Sequence, residues 1–220
     1  VWVDQLSTEG PIARSVRDLA RLLATQSGRD ERLPMSLPTA LNVSNLQYSP
    51  DALKGLRIGW LGDLHGHLAT EPGILDVCED ALKWMEKAGA EIEPVSLGYD
   101  ASTLWECWLV WRRALVGPKV AALLTRPHAA EWLKPEALWE YDHSLKLSYM
   151  DFHQASQRRT LFYHQLLQRF QTCDVLALPV AQVWPFPLNE RWPQRIGERS
   201  MDTYHRWMEC TIYATLAGLP

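Results

Sequence analysis

No apolar run in this sequence reaches the roughly 18 residues that a membrane-spanning helix needs, so no membrane partner is expected. There is no excess of basic charge. Lys and Arg number 22 against 26 Asp and Glu, for a net charge of −4, which offers nothing to draw nucleic acid or an anionic surface. Cysteine is scarce, and none of it forms a CxxC pair. Cys78, Cys107, Cys173 and Cys210 each sit in an apolar neighbourhood. That pattern reads as reduced core thiols in a cytoplasmic protein rather than a zinc site or a disulfide framework. The chain shows no internal repeat and no low-complexity tract. It opens on VWVDQLSTEG, without an initiator Met, a basic stretch or an apolar segment of secretory type, and stops at AGLP; both ends are expected to be cuts. Motifs for a nucleophile or a phosphate-binding loop are missing as well: GxSxG, SxxK, HExxH and GxGxxG do not occur. No serine lies in a glycine-rich loop that would form an oxyanion hole.

What is present suits a folded chain. Of 220 residues, 47% are hydrophobic and 22% charged, enough for a sizeable core. After an extended lead-in at 1–9, Gly10-Pro11 signals a turn. Ser15, followed three residues on by Asp18, predicts a capped helix over about 15–27, stopped by Gly28. Residues 28–55, with Pro34, Pro38 and Pro50 among Asn and Ser, read as a surface loop. Leu56 to Leu61 reads as a buried strand. Ile74, Val77, Cys78, Ala81, Leu82 and Met85 recur at helical spacing from Pro72 to about residue 88, and Ile92 to Leu97 reads as a second strand. A strand, a helix and a strand in that order predict a βαβ unit with parallel pairing. Residues 101–140 and about 145–172 read as helical, Asp174 to Pro179 as a short buried strand, 181–200 as a loop and 201–217 as helix. The fold class is α/β, a mixed and largely parallel sheet covered by helices.

Two places invite chemistry. His65 and His67 follow a strand end, where open α/β sheets often bind ligands. Two imidazoles rarely hold a metal alone, and no third ligand lies at suitable spacing. The pair therefore reads as a solvated loop, with no metal and no cofactor expected. Trp105, Trp108 and Trp111 are three apart, which places them on one drifting helical face. They read as packing, with room for one ring to line a pocket.

Several segments, taken in order, carry a resemblance. Leu6 to Ala20 contains GPIARSVRDLA, the stretch from Leu56 includes Ala88-Gly89-Ala90, residues 159–179 end in Asp174-Val175-Leu176-Ala177-Leu178-Pro179, and the terminal segment runs from Thr211 through Gly218-Leu219-Pro220. In that order they resemble the amidase signature family, whose members read like GPxARSVxDLA and close on T…N-x-x-GLP. The resemblance implies hydrolysis of carboxamides by a Lys–Ser–Ser triad: an activated serine, a relay serine and a neutral lysine, with backbone N–H groups for the oxyanion. In family members the lysine and the Gly/Ser-rich loop precede the GPxARS segment. The resemblance therefore implies that residues 1–220 are a single partial domain, the second half of the core, with no catalytic residue of its own.

The resemblance also nominates two substrate-binding positions. The amidotransferase component that feeds ammonia to misacylated tRNA holds the carboxylate of its glutamine with an arginine on the long helix, and Arg159 falls there. It holds the ammonium with an aspartate seven residues before the Asn of the last motif. Here Met208 stands at that place and Thr215 replaces the Asn. A guanidinium suits a carboxylate, whereas a thioether cannot pair with a cation. The departure points to an amidase of less polar substrates. The alternatives are a protein like that glutamyl-tRNA(Gln) amidotransferase component and a noncatalytic interaction protein derived from an amidase. The expected partner is a small-molecule amide substrate. The assembly left open is a homodimer.

Overall fold

The structure, a computed structural model, describes residues 6–7, 9–33, 35–43, 49 and 51–219. The expected lead-in falls mostly on residues 1–5 and 8, and parts of the expected loop on 34, 44–48 and 50. These, with the last residue of the GLP motif, lie outside the described residues.

The first helix, α1 (Val16–Gln26), starts where the sequence predicts. The Ser15 side chain accepts from the Asp18 backbone N–H, and Asp18 puts a carboxylate at the positive end of the helix. The βαβ unit follows. β1 (Arg57–Trp60) leads into α2 (Ile74–Lys87), then β2 (Glu91–Pro94) pairs parallel to β1 with Ile58 opposite Ile92. Gly89 takes φ +100 at the end of α2, a conformation that a side chain resists. β2 stops at Pro94, earlier than the expected Leu97. Ile74 and Leu82 are the buried positions of α2, and Leu82 packs with Ile58 and Ala90 in a small core under the sheet.

A third strand, β3 (Val175–Ala177), pairs parallel to β1 on its other side, so the order is β2-β1-β3 with β1 in the centre. Central placement explains Gly59. A Cβ there would come within 2.8 Å of the side chains of Cys173, Leu176 and Val95. Arg57 and Asp174 clasp the start of β1 to the start of β3: the Arg57 backbone N–H and guanidinium both donate to one carboxylate.

The stretch expected to be helical at 101–140 is three helices. α3 (Ala101–Leu124) ends before Pro127 and His128, α4 (Ala129–Trp132) is a single turn, and α5 (Pro135–Ser144) restarts at a proline, which tolerates a first-turn position because it has no N–H to satisfy. Gly117 of α3 lies so close to Ser144 of α5 that no Cβ fits between them. The long helix α6 (Tyr149–Arg169) begins later than residue 145 because Ser148 and Asp151 form a capping box.

The segment expected as loop at 181–200 contains a small hairpin, β4 (Arg195–Ile196) with β5 (Arg199–Ser200). The helix expected over 201–217 is split. A 3₁₀ turn at Arg206–Thr211, with non-helical backbone at Met208, precedes α7 (Ile212–Ala217).

Trp105, Trp108 and Trp111 are all buried in the main core with Leu104, Phe162, Leu166, Ile212 and Leu216, so the packing reading of the triplet holds. The fold is α/β. Among the described residues no helix is long and apolar enough to cross a membrane.

Candidate functional site

The close approach of α3 to α5 at Gly117 brings two charged residues together inside the molecule. Arg112 on α3 donates from Nε to Oε1 of Glu140 on α5, at 2.5 Å. Two residues ahead of the 3₁₀ turn converge on the same oxygen: His205 Nε2 lies 2.6 Å away and the Tyr204 hydroxyl donates at 3.0 Å. Arg112 also donates from Nη2 to the Tyr204 hydroxyl at 2.9 Å. Glu140 and His205 are fully buried, walled by Trp108 and Trp139, whose rings flank the His205 imidazole.

Burial raises the Glu140 carboxyl, but hydrogen bonds from His205 and Arg112 outweigh it and hold Glu140 below the usual carboxylate range. Burial pushes His205 down, opposed by Glu140, so the imidazole is held neutral more readily than a free one. His205 Nε2 lies against both Glu140 Oε1 at 2.6 Å and Arg112 Nε at 2.8 Å, while Nδ1 is buried without a partner among the described residues. Burial pushes the Tyr204 phenol up to about 12, against the pull of Arg112, so it stays a donor.

This cluster forms the inner wall of a cleft of about 760 Å³. Arg112, Glu140, Tyr204, Trp192, Trp207 and Met208 line it, and an ion pair between Arg191 and Glu136 spans its rim. Met208, one of the two nominated residues, is therefore a cleft residue. Arg159 is placed elsewhere. Its Nε donates to the Leu216 carbonyl at 2.7 Å and its guanidinium lies 4.5 Å from the Trp111 ring centre, half-buried on α6. It is not among the residues that line the Met208 cleft.

A second buried carboxylate lies one residue beyond Met208. Glu209 receives the Tyr213 hydroxyl at 3.1 Å, Arg206 Nη1 at 2.9 Å and His67 Nε2 at 2.7 Å. Arg206 also holds Asp202 and stacks 4.0 Å over Trp105. The solvated-loop reading thus suits His65, which is exposed, and fails for His67. The partner of His67 is 142 residues away and invisible to local spacing.

Sequence reasoning missed Glu140, His205 and Glu209. Their one local signal is a charged or polar side chain inside a tryptophan-rich helical stretch, such as Trp139-Glu140. The cysteines carry no reactive signature. Burial pushes the Cys107 thiol up to about 11 and Cys210 up to about 12, and all four cysteines are free.

Comparison with known proteins adds identity to the geometry. The family model described as Amidase matches residues 3–220. A glutamyl-tRNA(Gln) amidotransferase component of Mycobacterium ulcerans is 26% identical over 245 residues, covering 97% of this chain and 47% of that protein. An acylamidase of Rhodococcus erythropolis is 36% identical over 99 residues, 44% of this chain and 20% of that one. Among solved structures, a bacterial aryl acylamidase of the amidase signature enzymes superposes with a TM-score of 0.78 at 22% identity, covering 95% of this chain and 44% of that chain. The 6-aminohexanoate cyclic dimer hydrolase superposes with a TM-score of 0.72 at 17% identity, covering 94% and 45%. These structural likenesses speak to the fold. The chain spans about half the length of the amidotransferase relatives it matches.

Proposed function

The chain belongs to the amidase signature family, and on that premise we propose that the protein carrying it hydrolyses the carbon–nitrogen bond of carboxamides. The observation that carries this reading is the family match across residues 3–220. We read 1–220 as one unit of a larger core that supplies part of the substrate wall, with the nucleophilic serine, its relay and its lysine contributed by the region that precedes GPxARS in relatives.

Met208 narrows the substrate. An α-ammonium group brought against the Met208 thioether meets no anion at that position, and burying the cation there without a partner costs several kcal/mol. Simple carboxamides or aryl amides are therefore favoured over glutamine. An amidotransferase component is the second reading, supported by 26% identity across 97% of the chain and opposed by Met208. The free thiols agree with a cytoplasmic setting.

The test is an assay of residues 1–220 alone and of the full-length product on a panel of aryl and aliphatic amides. Turnover by the full-length protein and none by the 220-residue chain is expected. Turnover by the short chain that disappears on mutating one of its own serines overturns the division of labour. No amide turnover by the full-length protein overturns the activity itself.

A further inference from the structure

Arg112 is only partly satisfied inside the molecule. Its Nε faces Glu140 and His205, and its Nη2 donates to the Tyr204 hydroxyl. Nη1 makes no hydrogen bond among the described residues and is not one of their buried, unpartnered atoms. The side chain keeps 30% of its surface and lines the cleft together with Tyr204 and Met208. A guanidinium only donates, so this open arm calls for an acceptor from a ligand. The contacts behind it fix the plane of the group before a ligand arrives, which lowers the ordering cost of binding.

Charge selects the acceptor. Glu140 is 0% exposed, so it balances charge while staying out of reach of a ligand. Arg113 draws on the same carboxylate: its guanidinium lies 5.2 Å from the Trp139 ring centre, within the Coulomb field of Glu140, and its Nε is buried with no hydrogen-bond partner among the described residues. Two guanidinium groups share one carboxylate, and burial holds His205 neutral, so the cluster carries one positive charge in excess. Toward the rim Glu136 is tied to Arg191, and the exposed Lys134 and Glu190 offset one another. A single excess positive charge suits a single negative one, whereas a dianion leaves its second charge uncompensated. Trp192, Trp207, Tyr204 and Met208 make much of the lining aromatic or apolar, which suits an organic body rather than an inorganic ion.

We propose that this cleft binds an aromatic monocarboxylate, whose carboxylate takes a charge-assisted hydrogen bond from Arg112 Nη1 while its ring lies against the tryptophan-lined wall. The site is separate from Arg159, which does not line this cleft. It does not rest on the amide-hydrolase reading, because it is assigned from binding chemistry alone.

Binding tests it without turnover. The 220-residue chain is titrated with benzoate, benzamide, benzylammonium and inorganic phosphate. Calorimetry reads the affinities. Methyl resonances of isotope-labelled methionine locate the ligand, and Met208→Leu identifies the Met208 signal. Benzoate is expected to saturate, to move that signal, and to bind about tenfold tighter than each of the other three. Arg112→Lys keeps the charge but lacks a second arm, and is expected to weaken benzoate about tenfold while changing benzamide less than about twofold. The double variant Arg112→Met with Glu140→Leu strands no buried charge and is expected to lose the preference for benzoate over benzamide. If neither variant folds, the ranking of the four ligands and the Met208 signal decide. Benzamide or phosphate matching benzoate, an unmoved Met208 signal, no saturation at millimolar benzoate, or a folded Arg112 variant that keeps the wild-type affinity for benzoate overturns the site. Amide turnover by the full-length protein is a separate measurement and judges the function independently.

Discussion

His67 Nε2 lies 2.7 Å from Glu209 Oε1, joining the loop after β1 to the 3₁₀ turn near the end of the chain. The same loop is held at a second point, where Arg199 donates to the His67 carbonyl. Glu209 is fully buried, so each of its partners matters more than a surface pair would.

Replacing His67 by Ala is expected to destabilise the chain by about 1–3 kcal/mol, because it removes one partner from a buried carboxylate. His65→Ala, on the exposed neighbour, is expected to change stability by less than about 0.5 kcal/mol. Urea unfolding of both variants checks the contrast. Equal losses, or none at His67, defeat the argument that Glu209 depends on this contact.

Arg112 and Glu140 make a sharper case. Arg112→Met strands a buried carboxylate and is expected to cost about 3–5 kcal/mol. The double variant Arg112→Met with Glu140→Leu removes both charges and is expected to be more stable than Arg112→Met alone. A double variant worse than the single one by the full cost of Glu140→Leu shows that the two residues do not act as a pair.

The same cluster sets a pH dependence. His205 titrates below its ordinary 6.5 in the folded protein, first because it is buried, so the unfolded chain binds the extra proton between the folded value and 6.5. Stability therefore rises with pH through that window and falls on acidification. Glu140 acts in the same direction lower down. Its contribution is full above the unfolded 4.5 and is lost as pH falls through the depressed folded value. The urea midpoint is expected to drop as pH is lowered from roughly 7.5 to 5.5, and His205→Gln is expected to flatten that drop. A wild-type midpoint that stays level over this range removes His205 from the account.

The substrate roles proposed for Arg159 and Met208 can be tested by substitution. In the full-length enzyme Met208→Asp is expected to raise kcat/KM for α-amino substrates relative to neutral amides, by about tenfold or more if the new carboxylate meets the ammonium in a desolvated cleft. Arg159→Ala is expected to weaken carboxylate-bearing substrates more than neutral ones, alongside a stability loss of about 1–2 kcal/mol from the bond to Leu216. Equal effects on charged and neutral substrates mean that Arg159 only supports the contact between α6 and α7.

Residues 15–27, 56–61, 72–88 and 174–179 announced their elements because each combines a periodic apolar pattern with a local stop or start: Ser15 with Asp18, Gly89, and the proline after β3. Those signals act within a few residues, so the chain alone determined the α/β class, the βαβ unit and the family motifs. Tertiary structure decided the rest. Pro127 and Pro135 mark the break of 101–140 locally, but nothing local says that Gly117 is small because Ser144 lies against it. The buried carboxylates are the clearest instance. Glu140 meets His205 across 65 residues, and His67 meets Glu209 across 142. A buried carboxylate is tolerable only where distant donors arrive together, and the packing of α3, α5 and the segment around the 3₁₀ turn determines that arrival.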